Sequence, residues 1–262
     1  MAQNPLQGIS VQKLNPLYEA FSEEDDEHGN PVFESSSFGY ITENFLAYFG
    51  ESDLRKHDLT PMAIKESLKL LPDDDVYPRV PPSVTIVSPP IHSKQFIKHP
   101  KLNTAFHGTG LLPKLVLKEL EVLERLKERP HPHIVRYHGC LTARDRVVGL
   151  VFDHCSRTLH QTLEEDGRSI DIKTCMDSIT AATEHLHSLG LAHNDLNPHN
   201  VMVDENDVTY VIDMGSCQPS GHDLITAGSL GWVDEEFTTS HPKHDDAALK
   251  KLRTWLEGYS KR

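Results

Sequence analysis

The pattern of apolar and polar positions divides the chain unevenly. Residues 1–58 are polar and acidic, centred on "FSEEDDEHGNPVFESSS", and predict a flexible or loosely packed extension whose "YITENFLAYFG" aromatics could dock on a neighbour. Residues 59–80 predict a short helix and linker, with Thr60 as cap, Pro61 in the first turn and Pro72 as the stop. From residue 81 the runs "SVTIV" and "QFIK" read as short strands separated by "SPPIHS". A helix is predicted over 112–129, then two strands, "IVRYHGCL" and "VVGLVFDH", around the turn "TARD". A second long helix covers 172–189, where Met176, Ile179, Ala182, Leu186 and Leu189 recur at helical spacing and Gly190 terminates the run. The runs "VMV" and "YVI" around "DEND" read as a hairpin, and a last helix covers 245–256. No internal repeat is present. The order, strands with one helix and then a mainly helical half, predicts an α+β chain.

Two stretches break these patterns. Leu112, Leu115, Glu119, Val122 and Leu126 share one helix face, so Glu119 interrupts an apolar stripe while Glu121 and Glu124 fall outside it. A carboxylate on a core face needs a partner, because burying an isolated charge is costly. Lys98, at the end of "QFIK", is the candidate; a Glu at the stripe edge reaching water is the alternative. The second stretch is "LGLAHNDLNPHNVMVDENDVTYVIDMGS", Leu189 to Ser216. A hairpin over 201–212 would return Asp213 towards Asp195 and Asn200. Two acids and an amide at one mouth suit Mg²⁺, and an acid beside them can take a hydroxyl proton, which together describe phosphoryl transfer. A polar hairpin whose acids face water is equally compatible with the spacing.

Composition is that of an ordinary globular protein: 262 residues, 37% hydrophobic and 25% charged, with a formal net charge of -13. Residues 1–80 hold 15 acidic and 6 basic residues, a net -9. So acidic a chain argues against a nucleic-acid partner. No run approaches the roughly 18 apolar residues a membrane span needs. The four cysteines, Cys140, Cys155, Cys175 and Cys217, are widely spaced and no leader pattern precedes them, so free thiols in a reducing compartment are expected. The histidines are scattered, and the His131–His133 stretch reads as a turn before a strand rather than a ligand set.

"HNDLNPHN" and "DMG" resemble the protein-kinase motifs H-R-D-L-x-x-x-N and D-F-G. "QFIK" stands where V-A-I-K is expected, Glu119 where the helix glutamate is expected, and "PHPHIVRYHGC", "GLVFDHCSRTL" and "GSLGWVDEE" follow in the family's order over roughly 80–256. H-x-D-L-x-x-x-N also occurs in aminoglycoside and choline phosphotransferases, and "HNDLNP" resembles a group of fungal kinase-like proteins. The resemblance implies a two-lobed kinase-like fold, with an N-lobe of β-sheet and one helix over 81–153 and a shortened, mainly helical C-lobe over 154–262. It implies ATP and Mg²⁺ as cofactors. Asp195 would be the catalytic base; Asn200 and Asp213 would bind the metal; Lys98, held by Glu119, would pair the α- and β-phosphates. Phe152 would be the gatekeeper, the Asp153 and Cys155 backbones would meet adenine, and Met202 or Val203 would floor the ring. His193 would brace the loop.

The chain departs from the family pattern at several positions. No glycine lies between Gly50 and Gly108, so the G-x-G-x-x-G loop is missing and "IVSPPIHS" takes its place. Asn194 replaces the arginine that pairs with a phosphorylated loop, and Asn197 replaces a lysine that contacts the γ-phosphate, removing a positive charge at the transferring group. Only 26 residues follow Glu236, the counterpart of the A-P-E glutamate, which leaves room for one helix, opened by Asp245 or Asp246, in a naturally minimal or a truncated C-lobe. Three functional readings follow: a protein phosphotransferase acting on Ser/Thr hydroxyls, a pseudokinase that binds nucleotide or scaffolds a partner, and a small-molecule kinase. The expected partners are ATP and a protein or small-molecule acceptor, with no nucleic acid and no membrane, in the cytoplasm or nucleus. The sequence does not fix the acceptor or the oligomeric state.

Overall fold

The computed structural model describes residues 5–103, 108–226, 228–233 and 237–259. Two compact units are present: Met1–Pro81 with His99–Val116 and Thr142–Gly149, and Pro82–Lys98 with Leu117–Leu141 and Leu150–Arg262. Among the described residues no helix is long and apolar enough to cross a membrane.

The first unit overturns the expectation of a loose extension. Strands β1 (Leu17–Phe21), β2 (Phe33–Ile41), β3 (Ala47–Ser52) and β4 (Lys69–Leu70) form one antiparallel sheet in chain order. Its core gathers Ile9, Leu14, Phe38, Tyr48, Leu59, Ile64 and Leu68. The acidic run that suggests disorder is confined to the exposed β1–β2 connection, where Asp26 accepts bonds from the His28 and Asn30 backbones. Polar residues of β2 are satisfied inside the fold: fully buried Ser36 donates to the Leu54 carbonyl at 2.7 Å. Helix α1 (Pro61–Ser67) starts as expected, with Thr60 accepting from the Ala63 N–H. It stops before Pro72, because residues 69–70 leave it to pair with β3. Helix α2 (Asp73–Val76) offers Asp73 to Arg144, at 2.7 and 2.9 Å, and Asp74 to Arg146.

From residue 82 onward the chain follows the expected element order more closely. Strand β5 (Gln95–Lys98) precedes helix α3 (Leu111–Glu128), then the hairpin of β6 (Tyr137–Ala143) and β7 (Arg146–Asp153), with sheet order β5-β7-β6. Arg144 and Asp145, both at positive φ, make the hairpin turn. "SVTIV" does not form a strand. Ile86 makes a single parallel bridge to Cys140, and Glu124 on α3 holds the segment by accepting from the Thr85 N–H (2.8 Å) and hydroxyl (2.9 Å). Strand β8 (Arg157–Thr158) leads to helix α4 (Ile172–Ser188), capped by Asp171, which accepts from the Thr174 N–H at 2.7 Å. Strand β9 (Leu191–Ala192), the β10 (Val201–Val203) and β11 (Thr209–Val211) hairpin, and β12 (Gln218–Pro219) follow. Helix α5 (Pro242–Tyr259) packs on α4, burying Ala248, Leu252 and Leu256. All four cysteines are free thiols, and burial pushes Cys140, Cys155 and Cys175 up to about 11, which keeps them protonated and unreactive at neutral pH.

Candidate active site

The site lies wholly within the second unit. Lys98 ends the edge strand β5, and helix α3 presents Glu119 from its apolar stripe, between buried Val116 and Leu123. The Lys98 ammonium donates to Glu119 Oε1 and Oε2 at 2.7 and 2.9 Å, and to Asp213 Oδ1 at 2.7 Å. The Glu119 side chain is 8% exposed and that of Lys98 29%. Burial pushes the Glu119 carboxyl above its ordinary value, against the pull of Lys98. Burial also works against the charge on Lys98, but Glu119 and Asp213 outweigh it and hold the ammonium above its usual range. For Asp213, burial is overcome by the Lys98 charge and hydrogen bond, which bring the carboxyl down to about 2. One ammonium thus ties two carboxylates from distant segments of chain.

The β10–β11 hairpin closes as the sequence suggests. Val201 pairs with Val211, and the Ile212 N–H donates to the Asn200 carbonyl at 3.0 Å. Asp213 follows at once, in the left-handed region (φ 62°), with Oδ1 also accepting from the Gly215 N–H at 3.1 Å. A non-glycine residue held there is the kind of local strain that functional sites retain.

Asp195 sits in a cage of donors. Its Oδ2 accepts from Asn200 Nδ2 at 2.9 Å, while its Oδ1 accepts from Asn197 Nδ2 at 3.1 Å and from the Ser229 N–H at 2.7 Å. Asn200 Nδ2 also reaches the Asp195 carbonyl at 2.8 Å, which turns the amide oxygen of Asn200 the other way. Asn197 spans from Asp195 to the Ser229 hydroxyl, at 3.3 Å. It fills its position as a bracing amide, not as a substitute charge.

The floor of this loop is built around one buried acid. Asp245 has no exposed surface; its Oδ2 accepts from the His193 N–H and His187 Nε2, both at 2.8 Å, and its Oδ1 from the Asn194 N–H, also at 2.8 Å. Asp245, not the exposed Asp246, is therefore the supporting aspartate, in the first turn of α5. His193 donates from Nε2 to the Ile212 carbonyl at 2.9 Å and accepts the Asp195 N–H at Nδ1, so it is a bracing histidine. Asn194 points inward, its Nδ2 bonded to the Ala192 and Ser216 carbonyls, which leaves it no outward role.

The donor set fits a hard cation. Asp213 keeps Oδ2 free of hydrogen bonds among the described residues, and the amide oxygen of Asn200 is likewise turned out. One carboxylate and one amide oxygen suit Mg²⁺, which completes its shell with water and phosphate. At the end of β7, Phe152 is buried against Tyr137, with ring centroids 5.7 Å apart; Asp153 closes the strand and Cys155 lies just beyond it. Strand alternation separates the two floor candidates: Val203 shares the buried face with Val201 and is 2% exposed, whereas Met202 keeps open surface. Val203 is thus corrected to a core residue. Phe96, which the sequence reading leaves without a role, lies on the Lys98 face opposite Phe152 and is 51% exposed. Ser229 and Glu124 also escaped the sequence reading, since each takes its meaning from a partner far along the chain. Glu236 lies outside the described residues.

Comparison with known proteins gives the family of the chain. Residues 93–247 match the family model described as the protein kinase domain. The chain is 31% identical over 134 residues to mouse cyclin-dependent kinase 4, covering 47% of this chain and 44% of that protein. It is 30% identical over 146 residues to the serine/threonine-protein kinase SKS1 of Saccharomyces cerevisiae, covering 51% of this chain and 29% of that protein. The chain therefore spans less than half the length of these relatives. A chain of the yeast RNA Pol II CTD kinase CTDK-1 complex superposes with a TM-score of 0.49 at 16% identity, over 56% of this chain and 51% of its own. Lys98, Glu119, Asp195, Asn200 and Asp213 all fall inside the matched region, and the chain belongs to the protein kinase family.

Proposed function

We propose that this chain is an ATP- and Mg²⁺-dependent phosphotransferase that moves the γ-phosphate to a hydroxyl, that of Ser or Thr in a protein. The observation that carries this reading is the single Lys98 ammonium bridging Glu119 and Asp213, next to the Asp195–Asn200 pair. Lys98 would bind the α- and β-phosphates, with Glu119 keeping it extended into the site. Asn200 and Asp213 would hold the metal, which supplies charge neutralisation at the phosphates. Asp195 would orient the acceptor hydroxyl and take its proton. Asp195 Oδ2 accepts one hydrogen bond, from Asn200, and keeps a second acceptor site for that hydroxyl. Ser/Thr specificity rests on the likeness to a serine/threonine-protein kinase.

A second reading, a nucleotide-binding regulatory module, draws on the same cage: three donors already bond the Asp195 carboxylate and Asn197 brings no positive charge. Incubation of the chain with γ-labelled ATP, Mg²⁺ and a Ser/Thr-rich protein acceptor separates the two. Label transfer by the wild type and not by Asp195→Asn supports the phosphotransferase. Nucleotide binding without transfer to any acceptor supports the module.

A further inference from the structure

A broad concavity of the second unit is lined by neither Lys98 nor Asp195. It is a cleft of about 1000 Å³ walled by the last turn of α3, the 129–138 connection and the 153–155 segment. Lys94, Lys127, Arg129 and Arg136 line it, with His131, His138 and His154 between them, on a chain whose net charge is -13. Two acids, Asp153 and Asp204, share its walls. Asp153 pairs with His138 Nε2 at 2.7 Å, and Asp204 accepts from the Asn206 and Val208 backbones in its own turn. Lys94, Arg129 and Arg136 are exposed, and among the described residues their side chains meet no carboxylate. Four Lys/Arg side chains against two acids in one concavity of an acidic protein mark a site for a negatively charged partner.

We propose that this cleft docks an acidic segment of a partner protein. A cleft of about 1000 Å³ is far larger than one phosphate fills, and Leu126, Ile134 and Val135 line it along with the cations. The volume lies at the upper limit of small-molecule pockets and suits several residues of peptide, apolar side chains inward and carboxylates on the rim. Rim charges of this kind select the partner and speed its arrival, so binding should fall as salt rises.

The test is fluorescence anisotropy of the full chain with a labelled pool of short peptides that mix Asp and Glu with Leu and Phe. The same pool with Asn and Gln in place of the acids is the control. The acidic pool should bind and the neutral pool should not. The Arg129→Glu/Arg136→Glu variant should bind about tenfold or more weakly at an unchanged thermal midpoint. Lys94→Ser/Lys127→Ser is the milder second variant, with a smaller loss in the same direction. Equal binding by these variants, or no binding of the acidic pool by the wild type, overturns the proposal. So does displacement of the peptides by millimolar inorganic phosphate at constant ionic strength, which would make the cleft a small-anion site. Concentration-dependent self-association that the double reversal abolishes would identify a second copy as the occupant, and would also overturn it.

Discussion

Lys98 Nζ stands 2.7 and 2.9 Å from the two carboxylate oxygens of Glu119, a charge that the apolar stripe of α3 has carried into the interior. Removing one partner of a buried pair costs more than the pair contributes, because the remaining charge keeps its desolvation penalty. Lys98→Met should lower unfolding stability by about 3–5 kcal/mol, and Lys98→Met with Glu119→Leu should recover part of it. Urea denaturation reads both. A single variant as stable as the wild type would mean that the pair does not hold the helix to the strand.

Asp195→Asn keeps the size of the side chain but replaces one acceptor oxygen with a donor. It should retain Mg²⁺-nucleotide binding, lose about 1 kcal/mol of stability, and lose transfer by about a hundredfold or more. Steady-state transfer and nucleotide titration on one preparation separate these effects. Undiminished transfer would remove Asp195 from the role of base.

The support beneath the loop depends on pH. The Asp245 hydrogen bond raises His187 above its ordinary value of 6.5, so the charged imidazole favours the folded state. A group raised on folding stabilises fully below its unfolded value and loses that contribution as pH rises through the folded one. The difference in thermal midpoint between the wild type and His187→Gln should therefore be largest below pH 6.5 and shrink at alkaline pH. A difference that grows with pH would contradict the pairing.

Gly139 has φ +147°, and a Cβ there would stand 2.7 Å from the Thr85 carbonyl oxygen. Gly139→Ala should destabilise by about 1–3 kcal/mol and release the 85–87 segment from β6. Hydrogen exchange at Val87 and Cys140, whose N–H groups bridge the two segments, measures the release. Unchanged protection would mean that the backbone adjusts without separating.

What the sequence reveals here is what short-range periodicity encodes. The α3 stripe exposes Glu119 as a misfit, and the helix 172–188 and the 201–211 hairpin follow from spacing and turn residues. The first sheet stays hidden because β2 carries serines, and Ser36 is satisfied by Leu54, 18 residues away. The contact between Ser229 and Asp195 spans 34 residues and leaves no local trace. The choice of Asp245 over Asp246 depends on which face of α5 meets the loop, which two adjacent acids cannot signal. The basic cleft gathers residues from 94 to 210, each ordinary in its own neighbourhood.

The most direct test is the thermal shift of the purified chain with ATP, with and without Mg²⁺, alongside Asp213→Asn. A ligand bound only by the folded state raises stability, by about 2.7 kcal/mol at a hundredfold excess over its Kd. A rise that requires Mg²⁺ and is lost in the variant is the predicted result. No shift at millimolar ATP, or an equal shift without the metal, would contradict Lys98, Asn200 and Asp213 as a nucleotide-metal site.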